Sequence, residues 1–206
     1  LNNELKINLF SLTLLISFFG LFFLYNVFLI KNKGLKSIQE DLYLLFYLLF
    51  VYSIFLIFSD KSIDFNYLFL AISSSVSNVG ISLEKTPQKF AFIFLLLIIV
   101  GGSFFSTSSG LRFVKIYSLI KFSINELISH SKPKNIFLNK LAFSDKNMNL
   151  DDFYKYFLTI IIFIISLIIL SSILSIMGLS IDEAFKLSIL TLMNTVNSTM
   201  TGLSNF

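Results

Sequence analysis

The chain has no cysteine, no tryptophan, only two prolines and a single histidine. Without cysteine there are no disulfides, no thiolate metal sites and no thiol nucleophile, and one histidine cannot build a histidine metal cluster. Charge is scarce too: Asp, Glu, Lys and Arg make up 14% of the 206 residues. No paired carboxylate sits within an apolar run, and neither a catalytic constellation nor a phosphate-binding loop is present, so the sequence argues against an enzyme and calls for no cofactor. The net charge of +4 is spread over connecting segments. It forms no basic groove with stacking aromatics, which sets nucleic acid aside as a partner.

What the chain has in abundance is apolar sequence: 55% hydrophobic residues, 26 of them phenylalanine, and a mean hydropathy of +0.83. The apolar residues are gathered in runs at Ile7 to Ile30, Leu42 to Phe58, Phe90 to Val100 and Tyr156 to Met177, with weaker segments at Tyr67 to Val76 and Ala184 to Met193. A bilayer needs roughly 20 residues of helix to cross. The first, second and fourth runs satisfy this, whereas the weaker pair, at about 15 Å of helix each, reach only halfway. The Phe90 run is about 16 Å long. It then meets Gly101-Gly102-Ser103-Phe104-Phe105-Ser106-Thr107-Ser108-Ser109-Gly110, which breaks a helix near the midplane. The first run exceeds a signal-peptide core and lacks a small-residue cleavage site, so it reads as a mature span, in a chain expected to be truncated upstream.

Short cytoplasmic loops collect lysine and arginine. With Lys31 to Asp41 and Arg112 to Lys155 on the cytoplasmic side, that side holds 11 basic and 6 acidic residues, against 5 basic and 6 acidic outside. The bias requires each half-length segment to enter from outside and return there. Re-entrant backbone at membrane depth is tolerated only where protein buries it or where it lines a watery cavity, so these segments point to a pore. Ile72 to Ser82 runs from small polar residues into Gly80 between β-branched neighbours, the chemistry of a filter that replaces a cation's hydration shell with backbone carbonyls. Read on Gly80 alone, the same segment serves equally as an outer loop with a helix cap. Span, half-helix, turn and span recur: Leu42 to Phe58, Tyr67 to Gly80 and Phe90 onward form one unit, and Tyr156 to Met177 with Ala184 to Ser198 begins another.

Gly101-Gly102-Ser103 through Ser106-Thr107-Ser108-Ser109-Gly110-Leu111-Arg112, followed by Lys115, resembles the glycine-serine-threonine signature of the Trk/Ktr/HKT potassium transporter superfamily, at the close of its third unit. The resemblance extends over nearly the whole chain and implies a Trk-type membrane subunit. Its fold would be all-α integral membrane, with span, re-entrant pore helix and span units around a pseudo-fourfold, potassium-channel-like pore. Residues 1–36 would be the closing span of unit two and a cytoplasmic turn. Residues 37–128 would be unit three, with span 42–58, pore helix 67–76, filter 77–82 and broken span 90–128. A cytoplasmic linker at 129–150 and a partial unit four at 151–206 follow, the latter with span 156–177, pore helix 184–193 and filter region 194–199. Potassium would be bound and carried at Ser77, Asn78, Val79 and Gly80 and at Asn194, Thr195 and Val196. The gate would be the loop Gly101, Gly102, Ser103, Ser106, Thr107, Ser108, Ser109 and Gly110. Expected partners are membrane lipid, a second copy of the chain and a cytosolic nucleotide-binding regulatory subunit, in a bacterial inner membrane.

Two positions depart from the family pattern: Val196 stands where a filter glycine is usual, and Ser109 replaces the second glycine of the signature. A β-branched residue resists positive φ, so that quarter of the filter must be built differently, shift in register toward Gly202, or select less well. A plain kinked helix packed through small residues is the alternative to a gate. Beyond the loop, Arg112, Lys115, Ser118, Lys121 and Asn125 recur as one polar stripe of a helix. That stripe suits positive-inside anchoring at Lys121 and contact with the loop or a regulator at Arg112 and Lys115. Two further readings stay open. One is a non-conducting membrane scaffold or degenerate paralogue; the other is a transporter of an organic solute, for which midplane ligands are not found.

Overall fold

The computed structural model describes residues 3–20, 23, 39–58, 64–81, 90–131, 150–195, 201 and 203. Among the described residues, helices run in the order α1 (Asn3–Phe18), α2 (Gln39–Phe58), α3 (Phe65–Ser77), α4 (Ala91–Ile99), α5 (Phe113–Ser131), α6 (Leu150–Ile176) and α7 (Ile181–Leu192). The strands β1 (Val100–Gly101) and β2 (Leu111–Arg112) lie between α4 and α5. Among the described residues two helices are long and apolar enough to cross a membrane: α2, with 20 residues, and α6, whose qualifying stretch has 26. At 1.5 Å per residue these span about 30 and 40 Å. Only 6% of the apolar window of α6 is buried inside the protein, so its Ile- and Leu-rich surface needs an apolar surrounding.

The half-length expectations at Tyr67 to Val76 and Ala184 to Met193 correspond to α3, with 13 residues, and α7, with 12. Helix α7 starts at a reciprocal capping box. Ser180 Oγ accepts from the Glu183 amide and the Glu183 carboxylate accepts from the Ser180 amide, satisfying two orphan donors of the first turn. Helix α3 carries Ser73, Ser74 and Ser75, all wholly buried. Small residues let a neighbouring backbone approach closely, and α3 has its most extensive packing with α1.

The first apolar run does not form one unbroken helix. Helix α1 stops at Phe18, followed by a bend at Phe19 and no helix at Gly20. Its last carbonyls, at Ser17 and Phe18, take donors from residues 103, 107 and 108 instead of from a continuing turn. Residues 21–22 and 24–30 of that expected span lie outside the described residues, as do 31–38 after it and 132–149 of the expected linker.

Among the described residues two clusters build the core. Phe18, Leu44, Val51, Phe55, Leu68, Ile72, Val76, Phe90, Phe94 and Leu97 join α1, α2, α3 and α4. There Phe55 sits 4.8 Å from Phe90 and 5.0 Å from Phe94, ring centroid to centroid, within the range of favourable aromatic pairs. Leu95, Ile98, Leu167, Ile189, Leu190, Met193 and Leu203 join α4 to α6 and α7. Helix α4 therefore turns Phe94 and Leu97 to one cluster and Leu95 and Ile98 to the other, making it a shared wall between α3 and α7.

Candidate functional site

Helix α4 ends after nine residues with Val100 extended, at φ −79° and ψ 101°. The chain leaves, makes a short excursion and returns in the same direction, with Val100 paired to Leu111 and Gly101 to Arg112 in a parallel bridge. Residues 102–110 are thus a compact loop with adjoining ends, inserted between α4 and α5. Two glycines make the closure possible. Gly110 has φ +101°, and a Cβ there would lie 2.9 Å from Gly101 Cα, while a Cβ on Gly102 would lie 2.1 Å from Phe18 O.

The loop satisfies much of its own backbone. Gly102 N donates to Ser108 Oγ at 3.0 Å, Ser106 Oγ donates to Ser103 O at 2.8 Å, and Ser106 Oγ lies 3.1 Å from Ser108 Oγ. Its centre is filled by Arg112. One guanidinium nitrogen lies within hydrogen-bond distance of Ser103 O (3.3 Å), Ser106 O (3.1 Å), Ser106 Oγ (2.7 Å) and Ser108 O (3.1 Å). Arg112 is therefore not the first member of a helical stripe: it belongs to β2 and turns back into the loop. Lys115, by contrast, lies on α5 with Nζ 3.5 Å from Thr159 Oγ1 of α6. Ser118 is buried with its hydroxyl unpartnered, so it does not extend an exposed polar stripe.

Neighbouring elements hold the loop from outside. Ser103 N donates to Phe18 O at 3.1 Å, and Thr107 N and Ser108 N donate to Ser17 O at 3.1 and 3.3 Å. From the first turn of α2, Glu40 Oε1 accepts from Phe104 N at 2.7 Å, and Asp41 Oδ1 accepts from Gly20 N at 3.2 Å. These contacts of Glu40 and Asp41 were not foreseen from sequence. Acids in a helix's first turn complement its dipole without any tertiary role, so the residue types carried no signal. Glu40→Ala, which strips the acceptor from Phe104 N, is expected to speed hydrogen exchange at that amide by about fivefold to tenfold, the worth of one ordinary hydrogen bond. Glu40→Gln keeps a carbonyl oxygen in place and should exchange at close to the native rate; mass spectrometry of the full-length protein in lipid nanodiscs reads both.

The two half-length helices end alike. After α3, Asn78 is left-handed at φ 60°, and after α7, Asn194 is left-handed at φ 51°. Asn78 N reaches Ser75 O and Val79 N reaches Ser74 O; in the same pattern Asn194 N reaches Thr191 O and Thr195 N reaches Leu190 O. This is a Schellman closure in each case, with asparagine in the left-handed position it tolerates better than most residues. The equivalence pairs Asn78 with Asn194, Val79 with Thr195 and, by count, Gly80 with Val196. Gly80 has φ 79°; Val196 lies outside the described residues. Ser77 is buried and its hydroxyl returns to Ser74 O at 3.2 Å.

Each helix end is tied to the α4–loop segment. Asn78 Nδ2 donates to Ile98 O at 3.3 Å, a carbonyl near the point where α4 breaks, and Ser109 Oγ donates to Met193 O. Asn78 Oδ1 and Thr195 Oγ1 are buried without a partner. An apolar cavity of about 440 Å³ lies between α1, α2 and α3, lined by residues such as Leu15, Leu48, Tyr52, Phe69 and Ile72. Its walls offer almost nothing polar to a cation.

Across the described residues these features define a mostly helical chain with two helices suited to crossing a membrane and a self-bonded polar loop set into the middle of a third apolar segment. The chain matches no known family model and no curated protein sequence.

Proposed function

We propose that the chain is part of a monovalent-cation uptake protein of the bacterial inner membrane, with potassium as its ion. In this reading α3 and α7 are re-entrant pore helices. Their following turns, Ser77 to Gly80 and Asn194 to Val196, contribute filter carbonyls, and residues 101–110 form the gate. The observation that carries it is the interrupted helix between two half-length helices with equivalent left-handed ends. Such irregular backbone is tolerated at membrane depth only inside protein or along a watery path. The sequence signature from Gly101 to Arg112 supports the Trk/Ktr/HKT superfamily as the source of the activity, and with it a homodimer and a cytosolic nucleotide-binding regulator. Lipid would cover α6 and the outer face of α2.

A loop held by side-chain hydrogen bonds is cheaper to displace than a packed helix, because its donors and acceptors exchange partners with water as it moves. Glu40, Arg112 and the end of α1 would set the energy of the closed position. Val196 favours a second reading, a non-conducting scaffold, since the equivalent of Gly80 is β-branched. The test is potassium uptake in a potassium-uptake-deficient bacterium expressing the full-length gene with its own regulator. Uptake well above the empty vector supports permeation, and uptake at the vector level, with the protein present in the membrane, supports the scaffold.

A further inference from the structure

We infer that Ser109 is a positioning residue for the second pore turn: its hydroxyl fixes the end of α7 to the base of the loop, as Asn78 fixes the end of α3 to α4. The inference rests on the permeation reading above. Its geometry is a pair of ties of opposite sense. At the first turn the pore-helix end supplies the donor, Asn78 Nδ2, and α4 supplies the carbonyl of Ile98. At the second, the loop supplies the donor, Ser109 Oγ, and the pore-helix end supplies the carbonyl of Met193.

Met193 O needs such a donor. The closing bonds of α7 use the carbonyls of Ile189, Leu190 and Thr191, and the left-handed Asn194 turns the chain away so that the ladder does not continue. Met193 is buried against Ile98 and Leu95 of α4, where an unpaired carbonyl is costly. Ser109 is suited to the task because it sits at the base of the loop. Its own carbonyl packs on Gly101, 2.8 Å from where a Cβ would be, and it precedes Gly110, whose positive φ sends the chain into β2. The exposed Phe104 and Phe105 lie on the opposite limb of the loop, ahead of Ser109 in the chain.

The second turn has more need of bracing than the first. Gly80 takes a positive φ without strain, whereas the equivalent position carries Val196, for which such a conformation is strongly disfavoured. Bracing from Ser109 two and three residues upstream of Thr195 and Val196 compensates for lost local freedom by fixing where the turn begins. One position that departs from the family pattern, Ser109, thus donates to the carbonyl three residues before the other, Val196.

The measurement is the ratio of potassium to sodium uptake by the full-length protein, with its regulator, in a potassium-uptake-deficient bacterium. Native, Ser109→Ala and Ser109→Thr forms are compared at equal membrane abundance. Ser109→Ala is expected to lower the ratio about threefold to tenfold, the effect of one lost hydrogen bond, and Ser109→Thr, which keeps the hydroxyl, to restore it. An unchanged ratio in Ser109→Ala overturns the positioning role while permeation stands. A ratio lowered equally in both variants traces the effect to side-chain volume and overturns it too. Absence of cation uptake by the native protein removes the permeation reading and this inference together. Should Ser109→Ala fail to accumulate, the near-isosteric pair Ser109→Thr and Ser109→Val decides: a ratio lowered in Ser109→Val but not in Ser109→Thr supports the tie, and equal ratios in the two overturn it.

Discussion

Replacing Arg112 with alanine is expected to unfold the 102–110 loop while leaving α4 and α5 helical. Three loop carbonyls and one hydroxyl lie within hydrogen-bond distance of a single guanidinium nitrogen, and of the carbonyls Ser103 O keeps Ser106 N and Oγ as donors without it. Bonds to a charged donor are worth more than neutral ones, and Ser106 O and Ser108 O, which lose the guanidinium, each cost roughly 1–3 kcal/mol when left unpaired in a part-buried site. Because the four contacts share one donor they do not add in full, and a loss of about 3–5 kcal/mol of local stability is expected. Each 1.36 kcal/mol is a factor of ten. Exchange at the loop amides of Ser103, Ser106, Thr107 and Ser108, which are all bonded in the native chain, should therefore rise by a hundredfold or more. Arg112→Lys retains the charge but presents an ammonium on a different stem, without the planar fork, and should recover only part of the protection. Native exchange rates in Arg112→Ala would show that the loop is held without Arg112, by its bonds to α1 and Glu40 and its own hydroxyls. On the permeation reading the same variant leaks cations, since its gate has lost its closed form.

The places where sequence and structure agree or differ have physical causes. Apolar runs long enough to cross a bilayer are set by composition, which is why α2 and α6 were legible, α6 beginning six residues before Tyr156. The interruption after Ile99 was legible because paired glycines followed by hydroxyl residues cannot hold a helix against their own local hydrogen bonding. The fate of α1 was not. Hydropathy records how apolar Leu21 to Phe23 are, but not that the carbonyls of Ser17 and Phe18 are claimed by amides about ninety residues away. Arg112 misled for a related reason: its spacing to Lys115 and Ser118 fits a helix face, and only the parallel bridge removes it from that face. Asn78 and Asn194 were placed in the candidate filter from sequence. Their shared left-handed geometry is a backbone property that residue type allows but does not dictate.

Gly102→Ala should separate the loop from its seat, and comparison with two other glycines shows why the effect belongs to position and not to glycine as such. A methyl group at 102 would fall 2.1 Å from Phe18 O and 2.7 Å from both Ser106 Oγ and Ser108 Oγ. The nearest of these is backbone, held at the end of α1 and already accepting from Ser103 N, so it cannot rotate aside as a side chain would. Relief requires α1 and the loop to part, with loss of the Phe18 and Ser17 bonds, and overpacking of this kind costs at least about 1–3 kcal/mol before those bonds are counted. At Gly20 the closest contact is the Ser103 hydroxyl at 3.1 Å, an unpartnered group on a side chain with freedom to turn. At Gly178 nothing lies within 4 Å and only its φ of +102° resists substitution, a backbone strain of roughly 1–2 kcal/mol. Thermal unfolding of the full-length protein in detergent should therefore order the alanine variants with Gly102 well below Gly178, and Gly20 near native. Exchange at Ser103, Thr107 and Ser108 should rise in Gly102→Ala alone. If Gly102→Ala instead unfolds like native and keeps those amides protected, the loop does not rest on the end of α1. The gate proposed here would then lack the support that its closed position requires.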